Sequence, residues 1–326
     1  MKKWASKISP WIIAVLILYL LFKQVPPATI WISFQKANWL LFFFLSITYF
    51  LILFFLDSLG LAWVISRFAH PISYKESLLL RAGTYFLMPL NYNLAQASMA
   101  GFLKKTHGAP FFKTLGSVAF LSAADLIALT FLAFISVLIF NPTLGHYPIQ
   151  SAVLGMGGAL LGSFFLWAGA WQLVKKPIMA KWTQKKIIRW IVENPIFFAF
   201  RQAKPSDYIK IFLLRIPCIF FVVLSFSFPL LVFGARIPLG ILIATTPIIL
   251  MAGTLPITPA GLGTVQLLCV EFYKNHLTSP WLETGALQAS EIILVGSLAW
   301  VFANLTWKGL VGLSVFLSSY RKLFQK

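Results

Sequence analysis

Ionisable residues interrupt long apolar stretches of the sequence, and we take Arg81, Asp125, Arg215, Glu291 and Lys308 as candidates for a functional role. A charge at membrane depth costs about 2.5–3.5 kcal/mol on insertion scales, and such residues usually face a cavity that binds an ion or a polar group. Asp125 lies about ten residues, or about 15 Å of helix rise, inside its stretch, and we predict that Arg81 is its counter-ion. Arg215 and Lys308 lie nearer to segment ends, from which long side chains reach the membrane surface. Arg81 and Asp125 therefore indicate either a site for a charged group or a structural ion pair.

Uncharged polar residues cluster beside proline and glycine in two apolar stretches, the first of which also contains Arg81. The first holds Thr84, Asn91, Asn93 and Gln96, and the second holds Thr254, Thr258 and Gln266. Hydrogen bonds between helices explain a few such residues, but this density beside helix breaks is typical of a hydrated cavity. We therefore predict that these residues bind substrate, together with Arg81, Asp125 and Glu291. The sequence contains no nucleophile elbow, phosphate-binding glycine loop or histidine pair at metal-ligand spacing, so we predict a protein that is not an enzyme and needs no cofactor or metal.

Composition indicates the environment in which these residues act. The chain has 326 residues, of which 59% are hydrophobic and only 11% are charged. A soluble domain has about 25% charged residues, so lipid must surround most of this chain. Its apolar stretches are long and do not alternate with a period of two, which favours helices over a β-barrel. The fold predicted is an all-α integral membrane protein with a single transmembrane domain over residues 1–326.

Length divides the apolar stretches into two kinds, because a helix needs about 20 residues to cross the hydrocarbon core. Six stretches predict full transmembrane helices: Ile8–Phe22, Trp39–Ile65, Thr114–Phe140, Pro148–Val174, Tyr208–Phe233 and Ala286–Ser319. Two others, within residues 78–104 and 248–274, carry Pro and Gly in their middles. Such interruptions are tolerated only where protein or a watery cavity shelters the backbone, so we predict re-entrant or broken-helix hairpins.

Basic residues predict the orientation in the membrane. With the N-terminus inside, 20 bases fall on one side and four on the other, which places both termini in the cytoplasm of a cell with an inner (plasma) membrane. Residues 175–207 are rich in bases between two predicted spans, with aromatic and basic residues on opposite helical faces. We predict that this segment lies in the cytoplasmic head-group layer, where its contact is anionic lipid and not nucleic acid.

The two interrupted stretches resemble each other at an offset of 170 residues. Eight identities occur over 27 aligned positions, and they include Pro89 with Pro259 and Gln96 with Gln266. Three predicted spans separate the copies, so the copies enter from opposite faces. This arrangement predicts an inverted repeat, whose paired broken helices mark a substrate site near the midplane in transporters.

Two parts of the sequence resemble signatures of the transmembrane region of lysylphosphatidylglycerol synthases, the flippase-like family. The first is residues 87–96 followed by Asp125, and the second is residues 255–266. The resemblance extends from about residue 10 to residue 315. It implies a stand-alone membrane protein, without the synthase domain, that translocates lipid between leaflets. Where the family usually has Glu, this chain has Gln96 and Gln266. Because an amide donates to phosphate oxygens, we expect an anionic cargo here.

The function predicted is therefore flippase-like transport of an anionic lipid, or of a lipid-linked head group, between leaflets. Two alternatives stay open on the sequence. One is an ion-coupled transporter of a small soluble solute, and the other is a non-catalytic scaffold for enzymes that modify lipids.

Overall fold

The structure, a computed structural model, describes residues 17, 19, 27–88, 92–144, 147–175, 185–255, 258 and 261–324. Most of these residues are helical. In chain order the α-helices are α1 (Pro27–Lys36), α2 (Trp39–Phe68), α3 (Tyr74–Leu87), α4 (Tyr92–His107), α5 (Phe111–Phe140), α6 (Gln150–Val174), α7 (Lys186–Glu193), α8 (Phe198–Gln202), α9 (Pro205–Ser225), α10 (Phe228–Leu231), α11 (Leu239–Thr254), α12 (Thr264–Tyr273), α13 (Pro280–Glu283) and α14 (Ala289–Phe324). A 3-10 turn covers Pro195–Phe197, and β1 (Thr143–Leu144) pairs antiparallel with β2 (Tyr147–Pro148), placing Thr143 opposite Pro148.

Helix length and composition confirm a multi-pass membrane protein. Within the described ranges, five helical stretches are long and apolar enough to cross a membrane: Trp39–Phe68, Phe111–Phe140, Gln150–Val174, Pro205–Leu231 and Ala289–Val315. They correspond to five of the six spans predicted from the sequence. The sixth, Ile8–Phe22, lies outside the described residues except for Ile17 and Tyr19, which are helical.

Each of the two interrupted stretches contains a pair of helices that pack together. In the first copy, α3 begins at a capping box in which the Ser73 hydroxyl accepts from the Glu76 N–H, while Glu76 accepts from the Ser73 N–H. In the second copy, Gly261 and Gly263 have φ angles of 72° and 84° before α12 begins. Only glycine adopts this left-handed backbone at little cost, so these residues explain the break between α11 and α12. The re-entrant path and the inverted orientation remain predictions.

The described residues group into two compact units. The Arg81 unit comprises those within Phe50–Ala128, Leu160–Ile219 and Asn304–Lys326. The Gln266 unit comprises those within Met1–Tyr49, Leu129–Ala159 and Phe220–Ala303. Each unit therefore contains one copy of the interrupted stretch.

Aromatic rings organise the core of the Arg81 unit. Phe120 of α5 lies 5.2 Å from Phe68, 5.2 Å from Phe200 and 5.1 Å from Tyr208, measured between ring centroids. A Cβ atom on Gly116 would lie 2.0 Å from the Ile196 carbonyl oxygen, so glycine is what lets α5 approach this turn. These contacts hold α2, α5 and α9 together, and those helices supply charged side chains to the same unit.

The core of the Gln266 unit is likewise aromatic. Trp300 of α14 lies 5.1 Å from Tyr49 and 5.9 Å from Phe228, measured between ring centroids. The buried hydroxyl groups of Thr246 and Tyr273 are 2.6 Å apart, which joins α11 to α12.

The predicted interfacial segment contains α7, on which the Trp190 side chain is 64% exposed. Ile191 packs against the core of the Arg81 unit. Residues 176–184, where the prediction places more of this segment, lie outside the described residues.

Candidate functional site

Four charged side chains from four helices form a chain of ion pairs in the Arg81 unit. Asp57 of α2 lies between two arginines: its Oδ2 atom is 2.8 Å from Arg81 Nε, and its Oδ1 atom is 2.9 Å from Arg215 Nη1. Arg215 of α9 also contacts, through its Nε atom, the Oδ1 atom of Asp125 of α5. The order Arg81–Asp57–Arg215–Asp125 alternates in sign. We call these four residues the ion-pair cluster.

Burial differs along the ion-pair cluster. The side chains of Arg81 and Arg215 are 5% and 8% exposed, Asp57 is 20% exposed, and Asp125 is 37% exposed. Removing an ion from water costs several kcal/mol, and a close opposite charge offsets that cost. The two arginines thus depend on their carboxylates, while Asp125 is the member most open to a ligand.

Lys308 of α14 adds a third positive charge beside the ion-pair cluster. It attracts Asp57 at longer range, and its Nζ atom lies 5.6 Å from the centroid of the Tyr85 ring. Among the described residues, Lys308 has no carboxylate within ion-pair distance. The ion-pair cluster and Lys308 together contain three bases and two carboxylates, so their formal net charge is +1.

The structure corrects two predictions about these residues. Arg81 pairs with Asp57 and not with Asp125, whose partner is Arg215. Arg215 does not extend toward the membrane surface, because its guanidinium is buried between Asp57 and Asp125. Asp57 is not among the candidates that we selected from the sequence. The signal was present, because Asp57 lies inside the apolar run Trp39–Ile65, and a charged residue in such a run is what identified the other candidates.

The other predicted site residues of the first copy are only partly described. The Thr84 hydroxyl is buried and donates to the Arg81 carbonyl, 2.7 Å away, so its own helix satisfies it. The Gln96 side chain is 4% exposed, and neither of its polar atoms has a hydrogen-bond partner among the described residues. Asn91 and the side chain of Asn93 lie outside the described part of the chain.

Helix ends account for several predicted site residues in the Gln266 unit. Gln266 Oε1 accepts a hydrogen bond of 2.7 Å from the Gly263 N–H, which caps α12. Glu291 accepts one of 2.8 Å from the Gln288 N–H at the start of α14. The Thr258 and Thr264 hydroxyls are 3.1 Å apart, and Thr254 is exposed and donates to the Met251 carbonyl.

The structure brings Arg81 and Asp125 together within one unit. Thr254, Thr258, Gln266 and Glu291 belong to the other unit. A cavity shared by Gln96 and Gln266 remains a prediction. Among the residues described here, no group of three or more His, Cys, Asp or Glu side chains is arranged to hold a metal ion.

An apolar groove of about 330 Å³ lies between α3 and α4 and is bordered by Val315 of α14. We call it the α3–α4 groove. Its other lining residues are Glu76, Leu79, Leu80, Gly83, Thr84, Leu87, Ser98, Met99, Phe102, Leu103, Thr106 and His107. At one end the His107 Nε2 atom lies 2.8 Å from Glu76 Oε1. Hydrogen bonds donated by the Ser73 N–H and hydroxyl, with a smaller contribution from His107, hold the pKa of Glu76 below its usual range.

The family model described as the lysylphosphatidylglycerol synthase TM region matches residues 8–276, which is more than half of the chain. No curated protein and no solved structure matches the chain.

Proposed function

We propose that this chain, which belongs to the family of the lysylphosphatidylglycerol synthase TM region, moves an anionic, phosphate-bearing lipid between the leaflets of an inner membrane. The family ties the chain to lipid handling. The proposed role is transport without covalent chemistry, with both termini in the cytoplasm. Flippase-like transport of this kind needs a polar site for the head group and an apolar environment for the acyl chains.

The observation that carries the proposal is the positive charge of the ion-pair cluster together with Lys308. An uncompensated charge at membrane depth is costly, and the residues that carry such charges usually have functional roles. Arg81 and Arg215 present planar donors suited to phosphate oxygens, while Lys308 acts as a point charge. A phosphate monoanion would neutralise the site.

The geometry suggests how such a site would bind and release its ligand. Asp125 is the most exposed member of the ion-pair cluster and shares Arg215 with the more buried Asp57. A phosphate group that reaches Arg215 competes with the Asp125 carboxylate, because both are anions that accept from the same guanidinium. Return of Asp125 to Arg215 would then favour release. A resident carboxylate thus keeps the affinity for phosphate moderate, as transport requires.

Gln96 offers a further donor in the Arg81 unit. A buried amide without partners costs about 1–3 kcal/mol, and the Gln96 side chain is buried with no partner among the described residues. A head group whose oxygens accept from Nε2 would remove part of that cost. The family's usual glutamate would instead repel a phosphate at this position.

Transport is tested with the purified full-length protein in liposomes. Leaflet exchange is followed for fluorescent phosphatidylglycerol, a polyprenyl phosphate and the zwitterionic phosphatidylcholine. We expect faster exchange of at least one of the two anionic lipids than of phosphatidylcholine. Arg236→Gln, which removes an exposed charge outside the ion-pair cluster, should behave like the wild type.

Three results would replace the proposal. Uptake of a soluble phosphate ester without lipid exchange would favour the solute transporter. If no lipid in the panel is exchanged while deletion of the protein alters a membrane lipid-modifying enzyme, the scaffold reading applies. Equal acceleration of anionic and zwitterionic lipids would remove the role assigned to the positive charge.

A further inference from the structure

We infer that the α3–α4 groove binds one acyl chain of an anionic phospholipid, whose head group lies at the Glu76–His107 end. The inference deepens the proposed function and rests on it, since the bound lipid is taken to be the cargo before its head group reaches the ion-pair cluster. The groove lies in the same unit as the ion-pair cluster, and α3, which supplies Arg81 to that cluster, also forms one wall of the groove.

Size and lining suit an acyl chain. A cavity of about 150 Å³ lined by aliphatic and aromatic side chains stays dry and holds a benzene ring. The α3–α4 groove has about 330 Å³, a little over twice that volume, so it has room for roughly a dozen carbons. Hydrocarbon side chains dominate its walls: Leu79, Leu80, Leu87, Met99, Phe102, Leu103 and Val315.

Exposure indicates that the occupant comes from the surrounding membrane. Leu79 is 57% exposed and Phe102 is 39% exposed, and both line the groove. In a multi-pass membrane protein, apolar side chains that are exposed in this way contact lipid. A lipid chain therefore has a direct lateral path into the groove.

Charge selects the head group. The polar groove residues Glu76, Thr106 and His107 lie together at one end, since the first residues of α3 meet the last residues of α4. Three exposed lysines, Lys75, Lys104 and Lys105, flank these residues in the sequence. Three bases against one carboxylate favour an anionic head group. Lysines of this kind at a membrane surface attract anionic lipid.

Gly83 provides a way to fill the groove. A Cβ atom on Gly83 would lie 4.0 Å from Val315 Cγ1, an ordinary contact, so a longer side chain would extend into the groove. Gly101 on α4 has nothing within 4 Å of its Cβ position and does not line the groove. Leucine stabilises a helix interior better than glycine does, so we expect both Gly83→Leu and Gly101→Leu to fold. The two variants therefore form a matched pair.

The experiment uses the full-length protein in nanodiscs that contain phosphatidylglycerol with a photoreactive diazirine near the end of one acyl chain. After irradiation, mass spectrometry locates the lipid adducts. We expect adducts on the accessible lining residues Leu79, Leu87 and Phe102 in the wild type and in Gly101→Leu. Gly83→Leu should reduce them at least fivefold, and the same probe on phosphatidylcholine should give fewer adducts than phosphatidylglycerol. If Gly83→Leu does not fold, Ser98→Leu fills the groove from α4.

Equal labelling in wild type and in the filled variant would overturn the inference, as would adducts spread evenly over the exposed faces of α2 and α6. Leaflet exchange measured on the same variants separates this inference from the proposed function. A Gly83→Leu protein that loses groove labelling but exchanges lipid normally overturns the groove as a cargo site and leaves transport standing. Groove labelling in a wild-type protein that exchanges no lipid supports the binding site and overturns the proposed function.

Discussion

The Oδ1 atom of Asp57 lies 2.9 Å from the Nη1 atom of Arg215, within the membrane-crossing part of the chain. This contact joins α2 to α9, and Arg81 and Asp125 extend it on either side. An aspartate between two arginines holds both guanidinium groups in fixed positions. The cluster is thus prepared for an anionic ligand before one arrives.

Asp57 should be the member on which stability depends most. Asp57→Asn leaves Arg81 without an ion-pair partner among the described residues, and breaking a buried pair typically costs about 3–5 kcal/mol. We expect a clear drop in the melting temperature of the detergent-solubilised protein. The double variant Asp57→Asn/Arg81→Gln should recover part of that loss, because Arg81 is then no longer a buried charge without a partner.

Glu193→Gln is the control for this measurement. It removes a carboxylate from the exposed pair with Arg189 on α7, and exposed pairs contribute little to stability. A melting temperature for Asp57→Asn as high as that of Glu193→Gln would show that Asp57 does not hold the cluster together.

Part of this arrangement could be predicted from the sequence. Apolar run lengths predicted the five described spans, and the Pro and Gly residues in residues 78–104 and 248–274 predicted the interrupted helices. The partner of Asp125 could not be predicted in this way, because helix rotation and packing decide which of several basic residues approaches it. Arg81 and Arg215 both had suitable depth, and packing of α5 against α9 selects Arg215.

Capping roles were equally hard to distinguish from binding roles. Gln96 and Gln266 occupy equivalent positions in the two copies, yet Gln266 accepts from the Gly263 N–H whereas Gln96 has no partner among the described residues. The difference depends on local backbone geometry, including the positive φ of Gly263, which the residue types alone do not determine.

The two glutamines should therefore differ in stability when each is replaced by leucine. Gln96→Leu removes a buried amide without a partner and should leave the melting temperature unchanged or raised. Gln266→Leu leaves the buried Gly263 N–H unpaired, at a cost of about 1–3 kcal/mol. Both variants should slow lipid exchange. Thermal unfolding checks the first claim, and equal melting temperatures for the two variants would contradict it.

Acid should weaken the start of α3. Because the folded-state pKa of Glu76 is lower than its usual value of 4.5, its contribution to stability is present above that value and is lost as pH falls through the folded-state pKa. The difference in melting temperature between the wild type and Glu76→Gln should thus be constant near neutral pH and shrink at acidic pH. A difference that stays the same down to pH 3 would contradict the assigned hydrogen bonds.

Topology tests the inverted repeat. Single cysteines at Lys104 and Lys274, in a background without Cys218 and Cys269, should react with an impermeant maleimide from opposite faces, with Lys104 on the cytoplasmic side. The unequal distribution of bases motivates this expectation. Reaction of both cysteines from the same face would end the inverted-repeat interpretation.

The central claim is that the positive charge beside the ion-pair cluster binds a phosphate head group, and Lys308 tests it most directly. Among the described residues, no carboxylate lies within ion-pair distance of Lys308. Lys308→Gln removes this positive charge, while Lys308→Arg keeps it. Leaflet exchange of the fastest anionic lipid should be measured for both variants, with melting temperatures taken alongside. We predict that Lys308→Gln exchanges this lipid about tenfold more slowly with a near-normal melting temperature, and that Lys308→Arg retains most of the rate. Wild-type exchange by a folded Lys308→Gln protein would contradict the account.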